Sequence, residues 1–209
     1  MARTPLTKRR VLGIDRSGPP PPETRRGAPL NPWTIPNAIG FARLALIPLF
    51  LALALGSGDG RLAAASVVYA VVGGADFLDG VAARLTGQYS RLGVLLDPFT
   101  DRLLVVSGAV VCWHFELLPR WALAVLAARE LTMLALSQAA LRRGLEIEVN
   151  TIGRLGVWPT MFSLFLAMVS VTWVADALLL LGLAMALAAT VKYVRDGLAA
   201  LRQPPSSTA

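Results

Sequence analysis

Cysteine is all but missing from this chain of 209 residues: Cys112 stands alone, which excludes an internal disulfide framework and a cysteine-built zinc site. It sits in an apolar run and reads as a packed thiol. Histidine also occurs once, at 114, in a polar break away from the acidic residues considered below. Charge is scarce, at 16% of residues against 55% hydrophobic, and mean hydropathy is +0.59. Soluble domains carry more charge than this, so the chain reads as an integral membrane protein. A nucleic-acid recognition module is absent too. The net charge of +7 comes from residues in a proline-rich tail and at the ends of apolar runs. No apolar core follows the first basic residues, which argues against a secretory signal.

What is present is a series of long apolar segments. A span needs about 20 mostly apolar residues, and six are expected, at 34–55, 62–85, 91–113, 118–142, 151–172 and 175–200. GSGDGR, LTGQYSR, HFELLPR, RRGLEIEVNTIGR and WVAD (173–176) mark the breaks. Residues 1–32 hold seven Lys/Arg and the run Pro19 to Pro22. They read as a disordered cytoplasmic tail, with anionic headgroups as a possible contact. Residues 33–203 form the membrane domain and 204–209 a short tail. Basic residues favour the cytoplasmic side of short loops. The N-terminal tail, the 85–91 link, the 142–154 loop and the C-terminal end share one side and most of the Lys/Arg. Arg61 and Arg120 are essentially alone on the other. The expectation is an all-α, six-span protein with both termini in the cytoplasm.

Against that background stand four aspartates, in ADFLDGVAARLTGQYSRLGVLLDPFTD at 75–101. A carboxylate in hydrocarbon is costly unless it faces a polar cavity, pairs with a cation or binds metal. Three helical residues turn roughly 300° and four roughly 400°. Asp76 and Asp79 therefore share one face of the second span, and Asp97 and Asp101 one face of the third. The short 85–91 link makes these spans antiparallel neighbours, so all four carboxylates can converge near the cytoplasmic end. Hard divalent cations suit such oxygen donors, and magnesium commonly holds substrate phosphates as well. Two close ions can clamp the oxygens of a phosphoryl displacement. Gly80, Ala83 and Gly93 keep the neighbouring wall shallow, and Arg84 offers a charge suited to phosphate.

The pattern Asp76-x2-Asp79-Gly80-x2-Ala83-Arg84-x8-Gly93-x3-Asp97-x3-Asp101 resembles the signature of the CDP-alcohol phosphatidyltransferases, with eight fixed residues over 26 positions. The resemblance implies six membrane helices with the site at the cytoplasmic side. It also implies metal ligation by Asp76, Asp79 and Asp97, with Asp101 as general base and possible further ligand. Gly80, Ala83, Arg84 and Gly93 would shape the pocket for a CDP-lipid, with Asn37 reaching the nucleotide. The cofactor implied is Mg2+ or Mn2+, two ions. The assembly implied is a homodimer, and the setting the inner (plasma) membrane.

Further segments bear on the acceptor. TIPNAIGFARLALIPLFL (34–51), LLDPFTDRLLV (95–105), AARELTM (127–133), TIGRLGVWPTM (151–161) and VKYVRDGL near the end resemble phosphatidylglycerophosphate synthases. Those enzymes join CDP-diacylglycerol to glycerol 3-phosphate. Thr100, Arg102 and Arg154 depart from the residues common there. The cardiolipin synthases of the same superfamily, which use phosphatidylglycerol, share much of the 95–105 segment and are the alternative. Arg129, Arg154 and Arg195 are the candidate ligands of the acceptor phosphate, against a reading in which Arg129 merely pairs with Glu130. Asn37 could also cap the first helix after Pro36. Arg43 could snorkel to headgroups or serve the site. The five tryptophans suit an interfacial belt. Intramembrane prenyltransferases also use aspartates and magnesium but lack this glycine, alanine and arginine element. A cation transporter would spread its acids across the membrane instead of grouping them.

Overall fold

The computed structural model describes residue 23 and residues 29–142 and 151–202; within the helices, the side chains of 134, 137–142, 151–155 and 196–202 fall outside this description. Most of the tail expected at 1–32 and part of the 142–154 loop therefore lie outside the described residues. Among the described residues there are six helices and no strand: α1 (Ile35–Leu55), α2 (Ala63–Thr86), α3 (Arg91–His114), α4 (Arg120–Arg142), α5 (Thr151–Val169) and α6 (Trp173–Arg202). Among the described residues, three stretches are long and apolar enough to cross a membrane by length and composition: Ile35–Leu55, Ala63–Thr86 and Trp173–Arg195. The charged residues that interrupt α3 and α4 keep those helices out of that class. All five tryptophans are exposed, from Trp113 at 44% to Trp33 at 96%.

The helix limits follow from local chemistry. α1 begins at Thr34, whose hydroxyl accepts the Asn37 N–H at 3.3 Å, and Pro36 occupies the first turn, where its missing N–H costs nothing. The capping role considered for Asn37 thus falls to Thr34. α2 stops at Gly87, whose φ of 65° is a left-handed conformation that favours glycine. The turn expected at WVAD lies instead at 170–172, and Trp173 already opens α6. Thr172 explains the shift: its hydroxyl accepts the Val174 N–H at 3.3 Å. Asp176 then lies in the first turn, where the helix dipole favours an acid.

The chain divides into two compact units, Met1–Ser57 with Leu62–Ser107, and Gly58–Arg61 with Gly108–Ala209. In the first, α1 packs on α2. Ile47, Phe50 and Ala54 are buried on α1, and Ala65, Tyr69 and Val72 on α2. The Phe50 and Tyr69 rings lie 5.2 Å apart. α3 reaches α1 at Gly40, where a Cβ would stand 2.6 Å from Leu96 Cδ2.

In the second unit, α5 and α6 meet through small residues. A Cβ on Gly182 would fall 2.2 Å from Thr160 Oγ1 and 2.9 Å from the Thr160 backbone nitrogen. The Ser163 hydroxyl donates to the Ala175 carbonyl at 2.6 Å. Leu164, Met168, Leu179 and Leu183 fill the surrounding core. Cys112 is buried there as a free thiol, with Sγ 4.0 Å from the Leu164 carbonyl oxygen.

Candidate functional site

The first unit gathers charge around Arg43. This arginine lies near the middle of α1 and is only 1% exposed, so it does not snorkel to a headgroup layer. Its Nε donates to the Val72 carbonyl at 3.0 Å. One terminal nitrogen, Nη1, donates to Asp76 Oδ1 at 3.1 Å and to Asp79 Oδ2 at 2.9 Å. The other, Nη2, donates to Asp101 Oδ1 at 2.7 Å. Three helices thus meet on one guanidinium. The i, i+3 spacing on α2 delivers Asp76 and Asp79 to the same nitrogen, as the shared face requires.

Burial is uneven across the group. The side chains of Arg43 and Asp79 are closed off, at 1% and 5% exposed, while those of Asp76 and Asp101 stay 42% and 30% open. Asp97 is half-buried one turn before Asp101 and lies within the electrostatic reach of Asp79, Asp76, Arg43 and Asp101. All four aspartates singled out in the sequence therefore come together. Three carboxylates meet one guanidinium and a fourth, Asp97, lies near them, so acids outnumber the basic group.

The donor set is made of hard carboxylate oxygens, which fits a magnesium or manganese ion. Its arrangement here is organised around Arg43. Among the described residues, no group of three or more His, Cys, Asp or Glu side chains is set out to hold a metal.

The glycines and Asn37 form the neighbouring wall. A Cβ on Gly80 would lie 3.3 Å from an Arg84 terminal nitrogen, so the missing side chain makes room for the Arg84 guanidinium one turn on. Ala83 is half-buried beside it. A Cβ on Gly93 would lie 2.9 Å from Asn37 Oδ1 and 3.3 Å from Ser90 Oγ. Asn37 is buried. Its Oδ1 accepts the Ser90 hydroxyl at 2.8 Å, and its amide donates to the Asn31 carbonyl at 2.9 Å and the Pro32 carbonyl at 3.2 Å. Asn37 therefore ties the strand of chain entering α1 to the start of α3. Ser90 is the member that sequence reasoning left out of the site, and Arg43 is the one for which it set a role in the site beside snorkelling to headgroups. Arg43 carried a readable signal, since a mid-helix arginine in apolar surroundings needs acids and the chain offers four together. Ser90 carried none.

The proposed acceptor arginines belong to the second unit. Arg129 on α4 pairs with Glu130 and donates from Nε to Thr190 Oγ1 on α6 at 3.2 Å. The pairing reading of Arg129 is thus present in the structure. Arg195 is exposed on α6, and the side chain of Arg154 lies outside the described residues. His114 stacks edge-on against Phe115, with ring centroids 4.6 Å apart.

The comparisons with known proteins agree with this chemistry. The model of the CDP-alcohol phosphatidyltransferase family matches residues 33–192. The cardiolipin synthase (CMP-forming) of Streptomyces coelicolor is 38% identical over 166 residues, 77% of each chain. The CDP-diacylglycerol–glycerol-3-phosphate 3-phosphatidyltransferase of Bacillus subtilis is 30% identical over 138 residues, 60% of this chain and 72% of its own. A probable phosphatidylglycerophosphate synthase of Mycobacterium tuberculosis is 35% identical over 112 residues, 52% of this chain and 53% of its own.

Proposed function

The chain belongs to the CDP-alcohol phosphatidyltransferase family and is an enzyme, and from that premise we propose that it transfers the phosphatidyl group of CDP-diacylglycerol to a glycerol hydroxyl and releases CMP. The observation that carries this reading is the convergence of Asp76, Asp79 and Asp101 on Arg43, with Asp97 beside them.

The acceptor oxygen attacks the phosphatidyl phosphorus, the bond from that phosphorus to the CMP oxygen breaks, and the hydroxyl proton passes to Asp101. Asp101 is suited to the task because Arg43 engages only its Oδ1 in the structure. The hydrogen bond fixes the carboxylate while its other oxygen can accept a proton. Asp76, Asp79, Asp97 and Asp101 would hold Mg2+ or Mn2+, two ions, which when bound supply positive charge to the diphosphate and the departing CMP. Arg84, Gly80, Ala83 and Gly93 form the wall for the CDP moiety, with Asn37 behind it. Six helices span the inner (plasma) membrane with both termini and the site on the cytoplasmic side. Lipid then enters laterally, and the enzyme works as a homodimer.

Two acceptors fit the chemistry. Phosphatidylglycerol is favoured by the Streptomyces coelicolor relative, whose match is longer and more identical. It also agrees with an Arg129 already engaged by Glu130 and Thr190, since a lipid phosphodiester carries less charge than the dianion of glycerol 3-phosphate. Glycerol 3-phosphate is the second reading, supported by the Bacillus subtilis relative and the synthase-like segments. The test is to incubate purified protein with CDP-diacylglycerol and Mg2+, offer each acceptor in turn, and identify the lipid product. Cardiolipin from phosphatidylglycerol alone is the expected result. Phosphatidylglycerophosphate alone moves the assignment to glycerol 3-phosphate. Neither product removes both acceptors.

A further inference from the structure

Arg43 is a peculiar neighbour for a metal site, and its position has a consequence. A guanidinium that is 1% exposed, anchored through Nε on the Val72 carbonyl and forked across carboxylates of α2 and α3, cannot swing away to water. Two effects follow from this geometry. The fixed charge keeps three carboxylates gathered when no other cation is near, and like charges this close would otherwise repel. The same charge also opposes any second cation brought to the same oxygens, an effect strengthened by burial.

Exposure gives the cluster a direction. Arg43 and Asp79 close the inner side, while the Asp76 and Asp101 side chains are 42% and 30% open. The guanidinium donates to Oδ1 of both open carboxylates. An arriving ion meets acids that are already assembled and partly neutralised.

We propose that Arg43 is a positioning residue that serves as the resident counter-ion of the acidic cluster, holding it assembled without metal and lowering its affinity for divalent ions so that they exchange. This rests on the metal reading given above. It separates charge from shape in a testable way. Arg43→Lys keeps the positive charge and loses the fork. Arg43→Gln keeps a polar side chain and loses the charge.

The experiment is a Mn2+ titration of the three proteins in detergent, read by the paramagnetic resonance of free Mn2+, with melting temperature followed over the same range. For Arg43→Gln the expected result is Mn2+ affinity roughly tenfold or more above wild type. Its metal-free melting temperature should fall, and most of that loss should be recovered on adding Mn2+. Arg43→Lys should stay within about threefold of wild-type affinity, because the charge remains. Equal or weaker Mn2+ binding by Arg43→Gln overturns the proposal, as does an Arg43→Gln protein that stays unfolded at every Mn2+ concentration. Folding of that variant only when Mn2+ is supplied supports it. Absence of Mn2+ binding in wild type removes the metal reading and this inference together, whereas equal binding in all three proteins removes the inference alone.

Discussion

The two units of the chain solve the problem of burying polar atoms in opposite ways. Around α1, α2 and the first part of α3, a buried charged pair, Arg43 and Asp79, stands among neutral polar side chains such as Asn37, Ser66, Ser90 and Thr100. Arg43 holds Asp76, Asp79 and Asp101, and Asn37 holds Ser90 and the backbone at 31 and 32. Between α5 and α6 the buried polar side chains are hydroxyls that bond to nearby carbonyls. Thr160 donates to Gly156 at 3.0 Å and Ser163 to Ala175 at 2.6 Å, beside glycines that let backbones approach. The second solution is packing of small residues, as helices in lipid often use. The first concentrates charge at a cost that packing alone does not require. The proposed catalytic role of the cluster accounts for that cost.

Substitutions can break this contrast. The largest effect is expected at the acids: Asp101→Asn should lower CMP release by about 10³-fold, in the range for losing a positioned acid–base group, and Asp97→Asn, which removes a proposed metal ligand, should likewise abolish most of it. Their melting temperatures should stay near wild type. Full turnover by Asp97→Asn would remove it from the site. The next comparison sets glycine against glycine. Gly182→Ala should destabilise by about 1–3 kcal/mol, because the added methyl meets Thr160 backbone as well as side chain. Activity per folded molecule should be kept. Gly93→Ala instead presses on the Asn37 side chain, so its effect should appear chiefly in the KM for the CDP-lipid. Identical behaviour of the two variants would erase the distinction between the units.

Arg129→Ala comes next. Its acceptor KM should rise by about tenfold, the scale of a lost charge-assisted hydrogen bond, with little change in the KM for CDP-diacylglycerol. Equal changes in both would make Arg129 a tie between α4 and α6 through Thr190. The smallest effect is expected at Thr34→Ala, which removes the cap of α1 and should cost about 1 kcal/mol, read from thermal or denaturant unfolding.

Much of this was legible in the residues. Glycine and polar clusters gave the breaks, so the first helix expected at 34–55 is observed as Ile35–Leu55 and the second, at 62–85, as Ala63–Thr86. The misplaced turn at 173–176 shows the limit of that signal. Ser170, Val171 and Thr172 contain neither glycine nor proline, and Thr172 acts as a cap that reads like any other threonine. The four aspartates could be brought together from helical spacing and the short 85–91 link, because i, i+3 and i, i+4 fix a shared face on each helix and the link makes the helices neighbours. What spacing could not give was the partner from another helix. Arg43 lies 33 residues from Asp76 and 58 from Asp101, and no local pattern links positions that far apart. Asn37 was read as reaching the nucleotide or as a cap, and its tie to the start of α3 was hidden for a similar reason. Its bond to Ser90 spans 53 residues, whereas the true cap, Thr34, sits three residues before it.

The central claim is metal-dependent transfer at the aspartate cluster, and CMP release from CDP-diacylglycerol tests it most directly. Purified protein would be given CDP-diacylglycerol and both acceptors, first with Mg2+, then after chelation, then with Mg2+ restored. CMP release that stops on chelation and returns with Mg2+ is the expected result. Release that continues undiminished without divalent ions, or no release under any of the three conditions, would contradict it.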